Sequence, residues 1–132
     1  MTNGGNDNGG RSAERSVLGQ RGESIAEQRL IEAGYTILHR GWRCRSGELD
    51  IVALQDETLV FVEVRTRTTG GKYGTAEESV DWRKQRQVRA VAAVYCQREQ
   101  WLDQPVRFDV IAITIARATG EVDQYSHLCG AF

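Results

Sequence analysis

The sequence predicts a single α/β domain in which helices flank a mixed central β-sheet, in the order α-β-β-β-α-β-β. Three observations carry this prediction. Residues 17–33 and 77–101 place apolar side chains at helical spacing. Between them, Glu48 to Thr66 holds two alternating, β-branched-rich runs separated by a polar break. Beyond the second helix, Val106 to Ile115 is nearly continuous apolar sequence, the pattern of an interior strand.

Taken in order, residues 1–15 are rich in Gly and Asn and lack apolar periodicity, so they are expected to form a disordered tail, with residues 16–132 as the domain. Leu18, Gly22, Ile25, Ala26, Leu30 and Ala33 mark one face of the first helix, and Gly34 stands where a left-handed terminator belongs. Glu23 adjoins that apolar face. It either reaches sideways to water or serves as an acid aimed at a site. Tyr35 to Trp42 suits a first strand, with Gly41 and Ser46-Gly47 as turn or bulge signals. His39 on this strand has no second histidine or cysteine at metal spacing and is read as a satisfied or exposed side chain.

The hairpin that follows pairs Glu48–Leu54 with Leu59–Thr66 across residues 55–58. With that loop Leu54 faces Leu59, which sets Asp50 opposite Glu63 and Glu48 opposite Arg65 on one face. Leu49, Ile51, Ala53, Val60, Val62 and Val64 make the other face apolar. Opposed Cβ atoms lie roughly 4.5–5.5 Å apart, so Asp50 and Glu63 are like charges that need a cation between them, and a divalent metal is the natural candidate. The alternative is a solvated face on which Glu48 and Arg65 form an ion pair.

Residues 68–74 lack the spacing of a phosphate-binding P-loop. On the second helix Val80, Lys84, Val88, Val91, Ala92 and Tyr95 keep helical period. Between residues 65 and 89 the basic side chains Arg65, Arg67, Lys72, Arg83, Lys84, Arg86 and Arg89 outnumber Glu77, Glu78 and Asp81. This is the best phosphate-binding surface in the chain, with a merely solvated helix face as the alternative. A right-handed crossover then sets Val106–Ile115 parallel to the strand carrying Glu63. Asp109 on it is read as a structural hydrogen-bonding group. Val122 to Leu128 completes the sheet as an antiparallel edge.

The whole chain adds bounds. A formal net charge of -1 confines any nucleic-acid contact to a local patch. Cys44, Cys96 and Cys129 are too widely spaced for a disulfide framework or a zinc ribbon, so reduced thiols and a cytoplasmic location are expected. No apolar run approaches the roughly 20 residues of a membrane span.

Glu23 in RGESIAEQRL, Glu48 and Asp50 in GELDIVA, Glu63 in VFVEVRTR, Lys84-Gln85, RFDVIAI at residues 107–113 and the terminal Gly-Ala-Phe together resemble the bacterial YraN-like family of uncharacterised proteins. That family is regarded as part of the PD-(D/E)xK nuclease superfamily, close to archaeal Holliday junction resolvases. The resemblance implies a restriction endonuclease-like fold and a Mg²⁺- or Mn²⁺-dependent endonuclease acting on DNA in preference to RNA, with branched or flapped substrates favoured. It makes Asp50 and Glu63 the metal-binding acids, Glu23 the helix-borne third acid, and Glu48 and Lys84 auxiliaries. Arg67, Lys72, Arg83, Arg86 and Arg89 would hold the nucleic acid. Arg65 takes the place usually filled by lysine, a departure that matters because a guanidinium stays protonated and cannot act as a base. Either Arg65 clamps phosphate, or Lys84 reaches in from the helix, or the site does not cut. The alternative function is a non-catalytic nucleic-acid-binding module on the same fold. A homodimer is admitted by the resemblance, with no interface marked in the sequence.

Overall fold

The computed structural model describes residues 9–69 and 80–132, with side chains from residue 17 onward. Its elements are α1 (Gly9–Glu32), β1 (Thr36–Cys44), β2 (Gly47–Gln55), β3 (Thr58–Thr68), α2 (Trp82–Glu99), β4 (Val106–Ile115) and β5 (Val122–Leu128). The strands form one sheet in sequence order. β1, β2 and β3 run antiparallel, β4 runs parallel to β3, and β5 is antiparallel to β4, which is the predicted mixed topology.

Each helix covers one face. Ala26 and Leu30 of α1 pack with Ile51, Ala53, Val60, Val62, Ile111 and Ile113. Val88, Val91, Ala92 and Tyr95 of α2 pack with Leu49, Val52, Leu59 and Phe61. β3 and β4 lie between the two layers, which is why their sequences are apolar on both faces.

Several boundaries differ from the sequence expectation. α1 begins at Gly9, within the stretch read as a tail. It ends as expected at Gly34, whose φ is +96°, with Tyr35 N–H donating to Leu30 O at 2.9 Å across the turn. α2 starts at Trp82 because Asp81 caps it, accepting the Lys84 N–H at 3.0 Å. The hairpin turn is Asp56-Glu57 alone: Gln55 pairs with Thr58, and Asp56 takes φ +53°. The four-residue loop expected at 55–58 is therefore shorter, but the register it implied, Leu54 opposite Leu59, holds. The outer ladders are irregular, shifting between Ile37 and His39 in β1 and between Thr114 and Ile115 beside β5.

Gly22 decides how closely α1 can approach the sheet. A Cβ at that position would lie 2.9 Å from Thr66 Cβ and 3.2 Å from its Cγ2, and closer still to its hydroxyl. Only glycine lets this turn of α1 rest on β3. We expect Gly22→Ala to destabilise the fold by about 1–3 kcal/mol through overpacking, read as a lowered thermal midpoint, with Thr66→Ala in the same chain recovering part of the loss.

Candidate functional site

The site begins with a change of face in the first two strands. Arg40 and Ile51 pair across β1 and β2, as do Trp42 and Leu49. Arg40 reaches α1, donating to Glu27 Oε1 at 2.9 Å and Ser24 Oγ at 2.9 Å, and Ile51 packs in the α1 layer. Two residues away Trp42 and Leu49 pack in the α2 layer. The expectation that Leu49 shares a face with Ile51 and Ala53 is thus corrected. Gly41, with φ +69°, lies between the two pairs on β1, and Asp50 lies between them on β2.

Asp50 also ends the β2–β3 ladder, whose last pair is Ile51 with Val62. Its Oδ2 accepts the Val64 N–H at 2.9 Å, so a side chain replaces a main-chain acceptor. The next residue back along β3 from Val64 is Glu63, buried with a relative exposure of 2%. Glu63 Oε1 lies 3.6 Å from Lys84 Nζ and 3.8 Å from Arg65 Nη2. The structure therefore gathers Asp50, Glu63, Arg65 and Lys84 from two strands and the first turn of α2. Arg65 Nε is buried without a hydrogen-bond partner among the described residues.

The electrostatics follow from this crowding. Burial first, and then the charge of Asp50, push the Glu63 carboxyl up to about 7 against the pull of Lys84 and Arg65. Burial also raises Asp50, while the Val64 N–H, Lys84 and Arg65 draw it down. Glu23, on α1, is lifted to about 7 by burial and by the charges of Asp50 and Glu48, with Arg40 opposing. Glu23 is held by Arg40 at 3.7 Å. The carboxylates of Glu23, Asp50 and Glu63 do not converge as a trio of ligand atoms within 4.8 Å of one another.

Glu48 departs from the expected geometry. It pairs with Arg43 across β1 at 3.0 Å rather than with Arg65, because its partner is set by the β1–β2 ladder upstream of the point where β2 leaves β3. It stays near enough to raise Asp50 and Glu23. Of the basic surface, Arg83 and Arg86 lie on the exposed side of α2 with their guanidinium carbons 5.6 and 5.5 Å from the Trp82 ring. Arg89 instead covers Phe108 at 4.8 Å and Phe132 at 5.6 Å. Arg67 is half-buried on β3, and Lys72 lies outside the described residues. His39 is satisfied as expected, its Nδ1 2.8 Å from Tyr95 Oη.

A second polar cluster lies on β4 and β5, and Asp109 is its centre. Arg107 donates to it through Nε and Nη2, both at 2.9 Å. The Gly130 N–H donates at 2.9 Å, and His127 Nε2 lies 2.7 Å from Oδ2. Cys129 Sγ is 3.7 Å from the same histidine nitrogen. Asp109, His127 and Cys129 are the one trio of metal-type ligand atoms within 4.8 Å among the described residues. Both carboxylate oxygens already accept two hydrogen bonds, and a guanidinium occupies the adjacent space, so the cluster is a structural lock. The lock was missed as a unit in the sequence. Its one local signal is Arg107 two residues from Asp109 on a strand, which places both on the same face.

Burial pushes the Asp109 carboxyl up, but the hydrogen bonds from His127, Arg107 and Gly130 outweigh it and hold the group at about 2, below the ordinary 3.8. Asp109 therefore contributes stability that is present above the ordinary value and is lost as pH falls through about 2. Asp109→Asn should cost about 3–5 kcal/mol by leaving the Arg107 charge with only the neutral Gln55 and Tyr35 as partners. In denaturant titrations the variant should also show a smaller fall in stability on the acid side than the parent.

These elements define a class: an α/β domain whose central sheet sets a buried and a half-buried acid beside the cationic first turn of a helix. The model of the uncharacterised protein family UPF0102 matches residues 22–113, and the chain belongs to this family. Its relatives include a UPF0102 protein of Geobacter metallireducens, 44% identical over 121 residues, covering 92% of this chain and 96% of the relative. One from Geobacter sulfurreducens is 45% identical over 121 residues, with 92% of each chain covered. One from Frankia casuarinae is 42% identical over 118 residues, covering 89% and 98%. Their names state the family and no activity. Among the described residues no helix is long and apolar enough to cross a membrane.

Proposed function

We propose that the chain is a metal-dependent nuclease of the PD-(D/E)xK superfamily that hydrolyses phosphodiester bonds, with DNA favoured over RNA and branched or flapped DNA favoured over a fixed sequence. The observation that supports this reading is the shared setting of Asp50 and Glu63. The charge of Asp50 raises Glu63, and both acids feel Lys84 and Arg65. Hard oxygen donors at such a point fit Mg²⁺ or Mn²⁺. Mg²⁺ commonly takes one or two carboxylates and fills its other positions with water and substrate phosphate, so Asp50 and Glu63 suffice. Glu23 would join only by giving up Arg40. Bound there, the cation would supply Lewis acidity to a phosphoryl oxygen and acidify water.

The chain's own groups do the rest. Asp50 and Glu63 are held by strands, so their positions do not depend on a loop. Arg65 is fixed in charge and suits a phosphate clamp, able to donate two parallel hydrogen bonds. Lys84 lies nearer Glu63 than Arg65 does and offers the amine that the superfamily pattern expects. This favours a division of labour in which Arg65 orients the phosphate and Lys84 stabilises the charge that develops on it.

The test is cleavage of single-stranded, paired, flapped and four-way-junction DNA, and of the matching RNAs, with Mg²⁺ or Mn²⁺. Asp50→Asn and Glu63→Gln should each reduce cleavage by about 100-fold or more while salt-dependent binding is kept. Lys84→Met should lower kcat by about 100-fold with little change in KM. Binding unaccompanied by cleavage of any substrate with either metal would instead establish the non-catalytic module.

A further inference from the structure

Trp82 is out of place if its role is packing. The residues of α2 that pack on the sheet are Val88, Val91, Ala92 and Tyr95, whereas the Trp82 side chain is 59% exposed. The other two tryptophans join the core layer under α2, Trp42 with its ring 5.1 Å from that of Tyr95. Among the described residues the ring partners of Trp82 are cations: the guanidinium carbons of Arg83 and Arg86 lie 5.6 and 5.5 Å from its ring. Its backbone is also well fixed. The Asp81 side chain accepts the Lys84 N–H at 3.0 Å, the Gln85 N–H donates to Asp81 O at 2.9 Å, and the Gln85 side chain donates to Val80 O at 3.1 Å.

We infer that Trp82, flanked by Arg83 and Arg86, is a stacking platform for an unpaired nucleobase of a bound nucleic acid strand. The inference rests on the nucleic-acid reading above and deepens it by stating what the substrate must present. An exposed indole with two guanidiniums over its ring offers partners to both parts of a single strand: the ring receives a base where a guanidinium swings aside, and the released cations hold the flanking phosphates. A paired duplex offers only base edges in its grooves, so it cannot lay a base flat on the indole.

Placement relative to the acids fixes which nucleotide this is. Trp82 precedes Lys84 by two residues, about 200° around the helix. The indole therefore does not line the Asp50–Glu63 site but stands across the first turn of α2 from it. A strand whose phosphate lies at Lys84 and Glu63 would pass over the helix end and set a neighbouring base, not the one at the scissile bond, on Trp82. Such a substrate carries unpaired nucleotides beside the phosphate to be cut.

The test uses the full chain in chelator, so that cleavage does not intervene, with three probes: an oligothymidine strand, a long blunt-ended duplex paired throughout, and the same duplex bearing a single-stranded overhang. Tryptophan fluorescence and the anisotropy of a labelled strand are read together. Oligothymidine and the overhang should quench fluorescence, and the blunt duplex should not. Trp82→Ala should weaken oligothymidine binding roughly 10- to 100-fold and leave blunt-duplex binding unchanged. Trp82→Phe should keep the affinity within about threefold and remove the quenching. An unaltered melting curve for both variants, expected for an exposed side chain, shows that the fold is intact. Oligothymidine binding by Trp82→Ala at parental strength, or equal quenching by the blunt duplex, overturns the platform and leaves the nuclease reading standing. Binding to none of the probes overturns both. Stacking in a chain that cleaves nothing upholds the platform and removes only the catalysis.

Discussion

A carboxylate stands where a sheet would ordinarily use a carbonyl. By taking the Val64 N–H, Asp50 closes the β2–β3 ladder one step beyond Ile51 and Val62. Upstream of that point β2 no longer follows β3, and together with β1 it turns so that Trp42 and Leu49 join the α2 layer while Arg40 and Ile51 remain with α1. Gly41 permits the turn in β1 by adopting φ +69°. Glu23 from one helix and Lys84 from the other can then act on the same acid because Asp50 sits where the two layers meet. The rest of the candidate site depends on this one substitution of side chain for backbone.

Asp50 and Glu63 would be poor choices if stability alone were selected. A buried carboxyl raised by desolvation and by a neighbouring acid opposes folding whenever it is ionised. Asp109 shows the other solution within the same sheet: like Glu63 it is buried, but its donors hold it ionised and below its ordinary value. The contrast separates a carboxyl whose donors outweigh its burial from two whose burial outweighs the pull of Lys84 and Arg65. The arginines divide in a similar way. Arg40, Arg89 and Arg107 are committed to internal contacts with Glu27, Phe108 and Asp109, so the abundance of arginine is not by itself a measure of phosphate affinity.

Most of the fold was legible because its signals are periodic. Alternation in Glu48–Leu54 and Leu59–Thr66 gave the hairpin, and the unbroken apolar run at Val106–Ile115 gave the buried parallel strand. The register through Leu54 and Leu59 survived a mistaken loop length because residues 55 and 58 pair with each other. The face of Leu49 was not legible: period-two counting assumes a continuous ladder, and the break at Asp50 comes from a tertiary hydrogen bond. The Glu48–Arg43 pair was hidden for the same reason. Of the site, counting along one hairpin singled out Asp50, Glu63 and Arg65, but the ladder stops at Ile51 and Val62, short of the expected Asp50–Glu63 and Glu48–Arg65 pairs, and the approach of Lys84 required knowing where α2 begins. Asp81 carries that information as a cap, but a lone aspartate among acids and bases reads equally well as surface charge. The platform at Trp82 was invisible because exposure is a property of the fold.

The irregular outer ladders have a separate consequence. Among the described residues the five-stranded sheet is open, and the outer rims of β1 and β5 are where another molecule's strand can add and begin an aggregate. β1 carries a slip at Ile37–His39 followed by the left-handed Gly41, and the ladder to β5 slips at Thr114–Ile115. Each distortion interrupts the straight rail of donors and acceptors that an incoming strand would need. The same departures from regularity that shape the interior therefore discourage this protein from polymerising through its borders.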